Sequence, residues 1–203
     1  MSIGLQLVTG PTAEPLPLAK AKRRLRVTTD AEDSDIEDLI AECREQAEDE
    51  CGRAFLPQTL RLALDRFPRH GRPIAVPRPP LRSVTSVTYY DVAGELQTMA
   101  AEDYGVELVG EPGRIYPAAT WWPETASRPG AVQVVYVAGY ASATAVPRQA
   151  VAAVLALVCD RHVNPDGGDR PIPPAARRML DALDVRGFGY DVTPLRESGR
   201  GDR

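Results

Sequence analysis

Along the 203-residue chain the spacing of apolar positions changes twice. From Pro17 to Cys51 it is helical, from about Thr59 to Tyr140 it alternates, and from Pro147 to Leu183 it is helical again. In the first block Leu18, Ala21 and Leu25 stand at i, i+3 and i+7, which predicts a short helix with Pro17 in its first turn. Next, Ile36, Leu39, Ile40, Cys43, Ala47 and Cys51 form one stripe, which predicts the clearest helix of the chain. Ser34 with Glu37 three positions later reads as its capping box, and Gly52 as its stop.

In the middle block Leu60, Leu62 and Leu64 alternate against Arg61, Ala63 and Asp65, a strand pattern. Residues 73–80 hold a short apolar piece among prolines, so an edge strand or an extended connector is expected. Ser83 to Asp91 is rich in β-branched residues. Asp91 to Gly94 reads as a hairpin turn leading into Glu95–Met99. Tyr104–Val109 and Arg114–Tyr116 predict two more short strands. Residues 131–140 are apolar on both faces, which predicts a central strand.

In the last block Val151, Val154, Leu155 and Val158 are expected to face inward, as are Ala176, Met179, Leu180 and Leu183 of a shorter helix. Residues 1–14 show no period and are expected to form a loose leader. The fold class that follows is α+β. A helical bundle is expected from residues 15–55 and 146–185, closed by helices from the two ends of the chain. An antiparallel β lobe of about six strands, residues 56–140, is inserted between them. Residues 186–203 are expected to be a flexible, extended tail.

Charge adds an asymmetry. The net charge is −4, but residues 1–29 carry +4, residues 30–51 carry −10 and the rest +2. The acids of the long helix continue to Glu50, the end where they oppose the macrodipole, so they are expected to serve something besides helix stability. The basic run Lys20, Lys22, Arg23, Arg24, Arg26 suits nucleic acid, or pairing with the acidic helix of the same or a neighbouring copy. The negative total favours pairing. Of the 24 basic residues 22 are arginine, a skew that fits a GC-rich genome better than a function.

Little catalytic chemistry is visible. His70 sits in a loop. His162 is near Cys159, but Cys43 and Cys51 lie on an inward stripe, and paired metal-ligand spacing is missing. The acids from Asp30 to Asp38 lack the glycine of a calcium loop. No phosphate-binding glycine motif occurs. Neither a catalytic site, a cofactor nor a metal is therefore expected. Three cysteines suit a reducing cytoplasm, and the longest apolar run, Ala150–Cys159, is too short for a membrane span. No basic region precedes an apolar stretch at the start, so a secretory signal is not expected. Trp121 and Trp122 read as a cap on the β unit, or as exposed aromatic anchors for a protein partner.

Four stretches, taken in order, resemble the head–tail connector (adaptor) proteins of long-tailed phages and gene transfer agents. They are LPLAKAKRRLRV (16–27), DSDIEDLIAECREQAEDECGRAFLPQTL (33–60), PRPPLRSVTSVTYYDVAGE (77–95) and VQVVYVAGYASATAVPRQAVAAVLALV (132–158). The first is similar to the family's L-x-x-A-K-x-x-L-R-V opening. The end of the third helix departs from the pattern: it reads CDRHVNPDGG, and only Arg161 matches.

The resemblance implies a structural virion protein and no enzyme. Copies would form a ring, commonly twelvefold, in the phage neck beneath the portal protein. It would extend the DNA channel without gripping DNA and dock the stopper or tail-side protein. Assembly in the host cytoplasm and residence at the head–tail interface follow, with no membrane role. Another neck role (stopper or tail terminator) is one alternative. A cellular small-ligand module using Asp91, Tyr104, Arg114 and Tyr116 is the other. The expected subunit-interface residues are Lys22, Arg23, Arg24 and Arg26 against Glu42, Glu45 and Asp49. The expected partner-binding tail residues are Phe188, Tyr190, Leu195 and Arg196.

Overall fold

A computed structural model describes residues 3–165 and 171–185. It is a mixed helix and antiparallel-sheet fold. The helices are α1 (Leu18–Leu25), α2 (Asp33–Cys51), α3 (Arg148–Val163) and α4 (Pro174–Asp181). The strands are β1 (Ile3–Thr9), β2 (Gln58–Leu64), β3 (Ile74–Ala75), β4 (Leu81–Tyr90), β5 (Leu96–Thr98), β6 (Tyr104–Glu107), β7 (Arg114–Pro117) and β8 (Val132–Ala138).

Two sheets form, of order β1-β2-β8-β4-β5 and β3-β7-β6. β8 is central, as its apolar faces predict, with Leu62 opposite Val134 and Leu60 opposite Tyr136 on β2. The row Leu60, Leu62, Leu64, Val132, Val134, Tyr136 faces the smaller sheet's Ile74 and Ile115 in one cluster. Truncating a fully buried leucine such as Leu62 to alanine costs roughly 2–5 kcal/mol in such a core. Tyr136 hides its ring there and donates its hydroxyl to the Pro77 carbonyl at 2.9 Å. Burial pushes its phenol well above the usual range.

A second cluster joins helices from both ends of the chain. Leu16 and Ala21 meet Ile36, Ile40, Cys43, Ala47 and Cys51 of α2, with Val154, Leu157 and Val158 of α3 and Ala176 and Leu180 of α4. Alanines at the contacts let the helix axes approach closely. Arg53 ties this block to the rest: its guanidinium donates to the Leu183 carbonyl at 2.6 Å and to both Glu111 carboxylate oxygens at 2.9 and 2.6 Å.

Four expectations need correction. Residues 3–9 are not a loose leader: they form β1 and pair with β2 from Ile3↔Leu64 to Thr9↔Thr59. The alternation there is hidden because only Leu5 is buried. The capping box is not made, because α2 starts at Asp33 and Glu32 takes the cap position without a side-chain bond. The β region holds two sheets that share one core, and β6 stops at Glu107, short of the expected Val109. In α3 the most buried residues are Ala150, Ala153, Val154, Leu157 and Val158, while Val151 and Leu155 are partly exposed. That helix is apolar nearly all round, so packing rather than its sequence selects the inward face.

Candidate assembly surfaces

α1 ends in a cluster of cations. Lys22 donates to Asp30 Oδ1 at 2.7 Å and to Asp33 Oδ1 at 2.5 Å, so its charge is used inside the chain. Hydrogen bonds to Asp30 and Asp33 raise its pKa, and the same contact holds Asp30 below the carboxylate range. Arg23, Arg24 and Arg26 are exposed. Arg26 closes the helix in the left-handed region (φ 62°), its N–H bonded to the Lys22 carbonyl. Three arginines thus project from one turn.

The acidic helix α2 divides its charges between two tasks. At its C-terminal half they bind other elements. Arg44, nearly buried, donates Nε to Glu14 at 2.9 Å, Nη1 to Glu48 at 3.0 Å and Nη2 to Glu45 at 3.3 Å. Glu48 also accepts the Phe55 backbone N–H, and Gln58 Nε2 of β2 at 3.1 Å. Asp49 pairs with Arg78, and Glu50 with Arg177 at 2.9 Å.

The acids at the dipole-opposed end therefore secure the turn into β2, the strand-linking loop and α4. Burial pushes the Glu14 and Glu48 carboxyls up despite Arg44, while on Arg44 the surrounding carboxylates outweigh burial and hold its charge. The Arg44–Glu14–Glu48 junction was not anticipated. A lone arginine among the apolar positions of an acidic helix was the signal for it. Glu32, Asp35, Glu37, Asp38 and Glu42, in contrast, are exposed over the N-terminal half.

Of the expected interface acids, Glu42 is open, Glu45 leans on Arg44 and Asp49 is held by Arg78. The tryptophans take opposite parts. Trp122 is 8% exposed, stacks on Phe67 with ring centroids 4.7 Å apart, and donates Nε1 to the Arg72 carbonyl at 2.9 Å. Trp121 is 59% exposed and meets His70 edge-on. Phe188, Tyr190, Leu195 and Arg196 lie outside the described residues.

Of the residues considered for a small-ligand site, Tyr104, Arg114 and Tyr116 lie on the paired strands β6 and β7, while Asp91 follows β4 of the other sheet. Asp91 spends its carboxylate on its own hairpin, accepting from the Ala93 and Glu95 amides and from Gln97. Tyr116 covers Gly105, where any Cβ would meet its ring at 2.3 Å. Arg114 stands 3.9 Å from Glu107. Burial pushes the Cys43 and Cys51 thiols up to about 12 and about 11, which leaves them protonated packing groups. Among the described residues no cluster of His, Cys, Asp and Glu has metal-site geometry, and no helix is long and apolar enough to cross a membrane.

Known proteins match this arrangement in two ways. Solved chains of gene transfer agent (GTA) particles share the fold. One, from the virion of a native particle, is 24% identical with a TM-score of 0.74, over 89% of this chain and 95% of that one. Another, from the neck of an empty particle computed with C6 symmetry, is 24% identical with a TM-score of 0.73 over the same shares. A third, from the neck of a native particle computed with C12 symmetry, is 22% identical with a TM-score of 0.72, over 89% and 94%. No curated protein matches the sequence.

The first three of the four stretches fall largely within a family match; the fourth is reached only by the likeness of fold. Residues 16–88, from just before α1 into β4, match the phage gp6-like head–tail connector protein family, so over those residues the resemblance read from the sequence is shown.

Proposed function

We propose that the chain is a structural subunit of a virion neck, a head–tail connector that forms a ring beneath the portal. On this reading the ring prolongs the DNA channel and offers its far side to a stopper or tail-side protein. The observation that carries the reading is the coincidence of the connector-family match over 16–88 with a fold likeness spanning nine-tenths of the chain to chains of GTA particles, necks among them. The protein acts by shape and charge; no reaction is assigned to it.

The residues support specific parts. A ring needs two different faces that fit each other. Arg23, Arg24 and Arg26 at the end of α1, against Asp35, Asp38 and Glu42 on the open half of α2, give such a pair of opposite sign. Lys22 takes no part between copies, because Asp30 and Asp33 already hold it. Residues 15–55 with 146–185 serve as the ring wall, 56–140 as a lobe, and 186–203 as the docking tail, with Phe188, Tyr190, Leu195 and Arg196 as its anchors. Trp121 is a further contact for the portal or tail side.

The test is reconstitution. The purified full chain, mixed with its portal protein, is expected to give particles with a ring of fixed copy number under the portal in electron micrographs. A chain lacking residues 186–203 is expected to fold but to join the portal or the tail side poorly. Monomers that never associate with portal, at any concentration, would overturn the reading.

A further inference from the structure

The five-stranded sheet has two unlike edges. At one end β5 has only three residues, and β4 beside it has register shifts at Leu81/Ser83 and Val84/Ser86. Short strands and bulges are the usual protection of an edge. At the other end β1 runs for seven residues, Ile3–Thr9, with neither a charge nor a proline, and its one irregularity is at its far end. Leu7 is 51% and Val8 47% exposed there. Over the face of β1 and β2, against α2, lies a groove of about 380 Å³ lined by Leu5, Leu7 and Leu60 and by Arg44, Glu45 and Asp49. A long, uncharged, apolar edge next to a groove is what a strand-addition site requires.

We propose that β1 is the strand-addition edge between copies, and that its open side receives the β4–β5 hairpin of the adjacent subunit. The inference rests on the ring reading above and specifies its contact. β1 and β5 are opposite edges of one sheet. A repeated rotation can therefore set the β5 edge of each copy on the β1 edge of the next, and the contact is heterologous and closes as a ring. Pairing β1 with β1 would stop at a dimer.

The hairpin carries complementary groups. Val92 and Leu96 are exposed at its tip and on β5, ready to cover Leu7 and Val8. Glu95 is exposed on the hairpin, and Arg61, exposed on β2, reaches towards β1 with its guanidinium 3.5 Å from Gln6 Oε1, which supplies opposite charge on the β1 side of the junction.

Cysteine pairing in assembled rings tests this. A full chain carrying Leu7→Cys, Leu96→Cys and Cys159→Ser is assembled with portal and oxidised. The expected product is a ladder of covalent oligomers reaching the ring size, with neither cysteine alone giving it. Leu7→Lys and Val8→Lys, both at half-exposed positions, are expected to leave the thermal midpoint unchanged and to raise the protein concentration needed for rings at least tenfold.

Dimers from Leu7→Cys alone would overturn the proposal in favour of a two-fold contact. So would rings that form normally with Leu7→Lys, or β1 amides protected from exchange only when a tail-side protein is added. Rings that form but do not cross-link sink this inference and spare the ring reading. A chain that forms no ring with portal sinks the ring reading first.

Discussion

Glu14, on the segment between β1 and α1, accepts two contacts from Arg44 Nε of α2, at 3.2 and 2.9 Å. One guanidinium that is nearly buried thus fastens the N-terminal segment to the helix that carries the turn into β2. Its other nitrogens hold Glu48 and Glu45, and Glu48 in turn fixes the Phe55 amide and Gln58.

Removing the hub should expose its cost. Arg44→Ala leaves Glu48 buried without its countercharge and is expected to destabilise the fold by about 3–5 kcal/mol. Glu14→Ala is expected to cost roughly half as much or less, because solvent reaches Glu14 and screens the pair. Urea unfolding of the three proteins checks the order. Equal losses would mean that the Arg44–Glu14 contact carries the whole effect and that Glu48 does not need Arg44.

A second staple sets a pH dependence. The hydrogen bonds from Arg53 hold the Glu111 carboxyl below its ordinary 4.5. The folded state therefore binds this proton less readily than the unfolded chain, so the pair stabilises at pH above 4.5, and its contribution is lost as pH falls through the folded value. The stability difference between wild type and Glu111→Gln is expected to be constant above pH 5 and to shrink steadily below 4.5. A difference that does not change with pH would show that the contact is not ionic.

The neighbouring tryptophans should separate cleanly. Trp122→Ala removes a buried ring stacked on Phe67 and is expected to cost about 3–5 kcal/mol in thermal or urea unfolding. Trp121→Ala is expected to cost less than about 0.5 kcal/mol, as exposed positions do. If Trp121 is a partner contact, its loss appears only when portal or tail-side protein is titrated.

The alternation of Leu60, Leu62 and Leu64 and the stripe Ile36, Ile40, Cys43, Ala47 were legible because each element buries one face and exposes the other. β1 was not: an edge strand with a single buried residue, Leu5, leaves no period to read. The inward face of α3 was not legible for the opposite reason, since its middle, Ala150–Cys159, is apolar on every side. The acids at the end of α2 were seen to be misplaced for a lone helix. Their partners Phe55, Gln58, Arg78 and Arg177 are scattered along the chain, and spacing alone does not join them. The surface residues named for assembly were legible as charge, but charge alone does not say which copy it meets.

Charge reversal addresses that last point. Arg23→Glu with Arg24→Glu changes two exposed side chains, so the monomer's thermal midpoint should stay within a degree or two. Rings should form poorly, because like charges then face each other across the contact. If Arg23 and Arg24 of one copy meet the open half of the neighbour's α2, adding Asp38→Arg and Glu42→Arg should restore assembly. The last two changes alone should block it. A defect that the second pair of reversals leaves unrepaired would move the basic turn from the subunit contact to the portal. Failure of the reversal to harm assembly at all would remove both roles. Sedimentation of the four proteins, with and without portal, distinguishes these outcomes, and it does so independently of the β1 edge because Leu7 and Val8 are untouched in all of them.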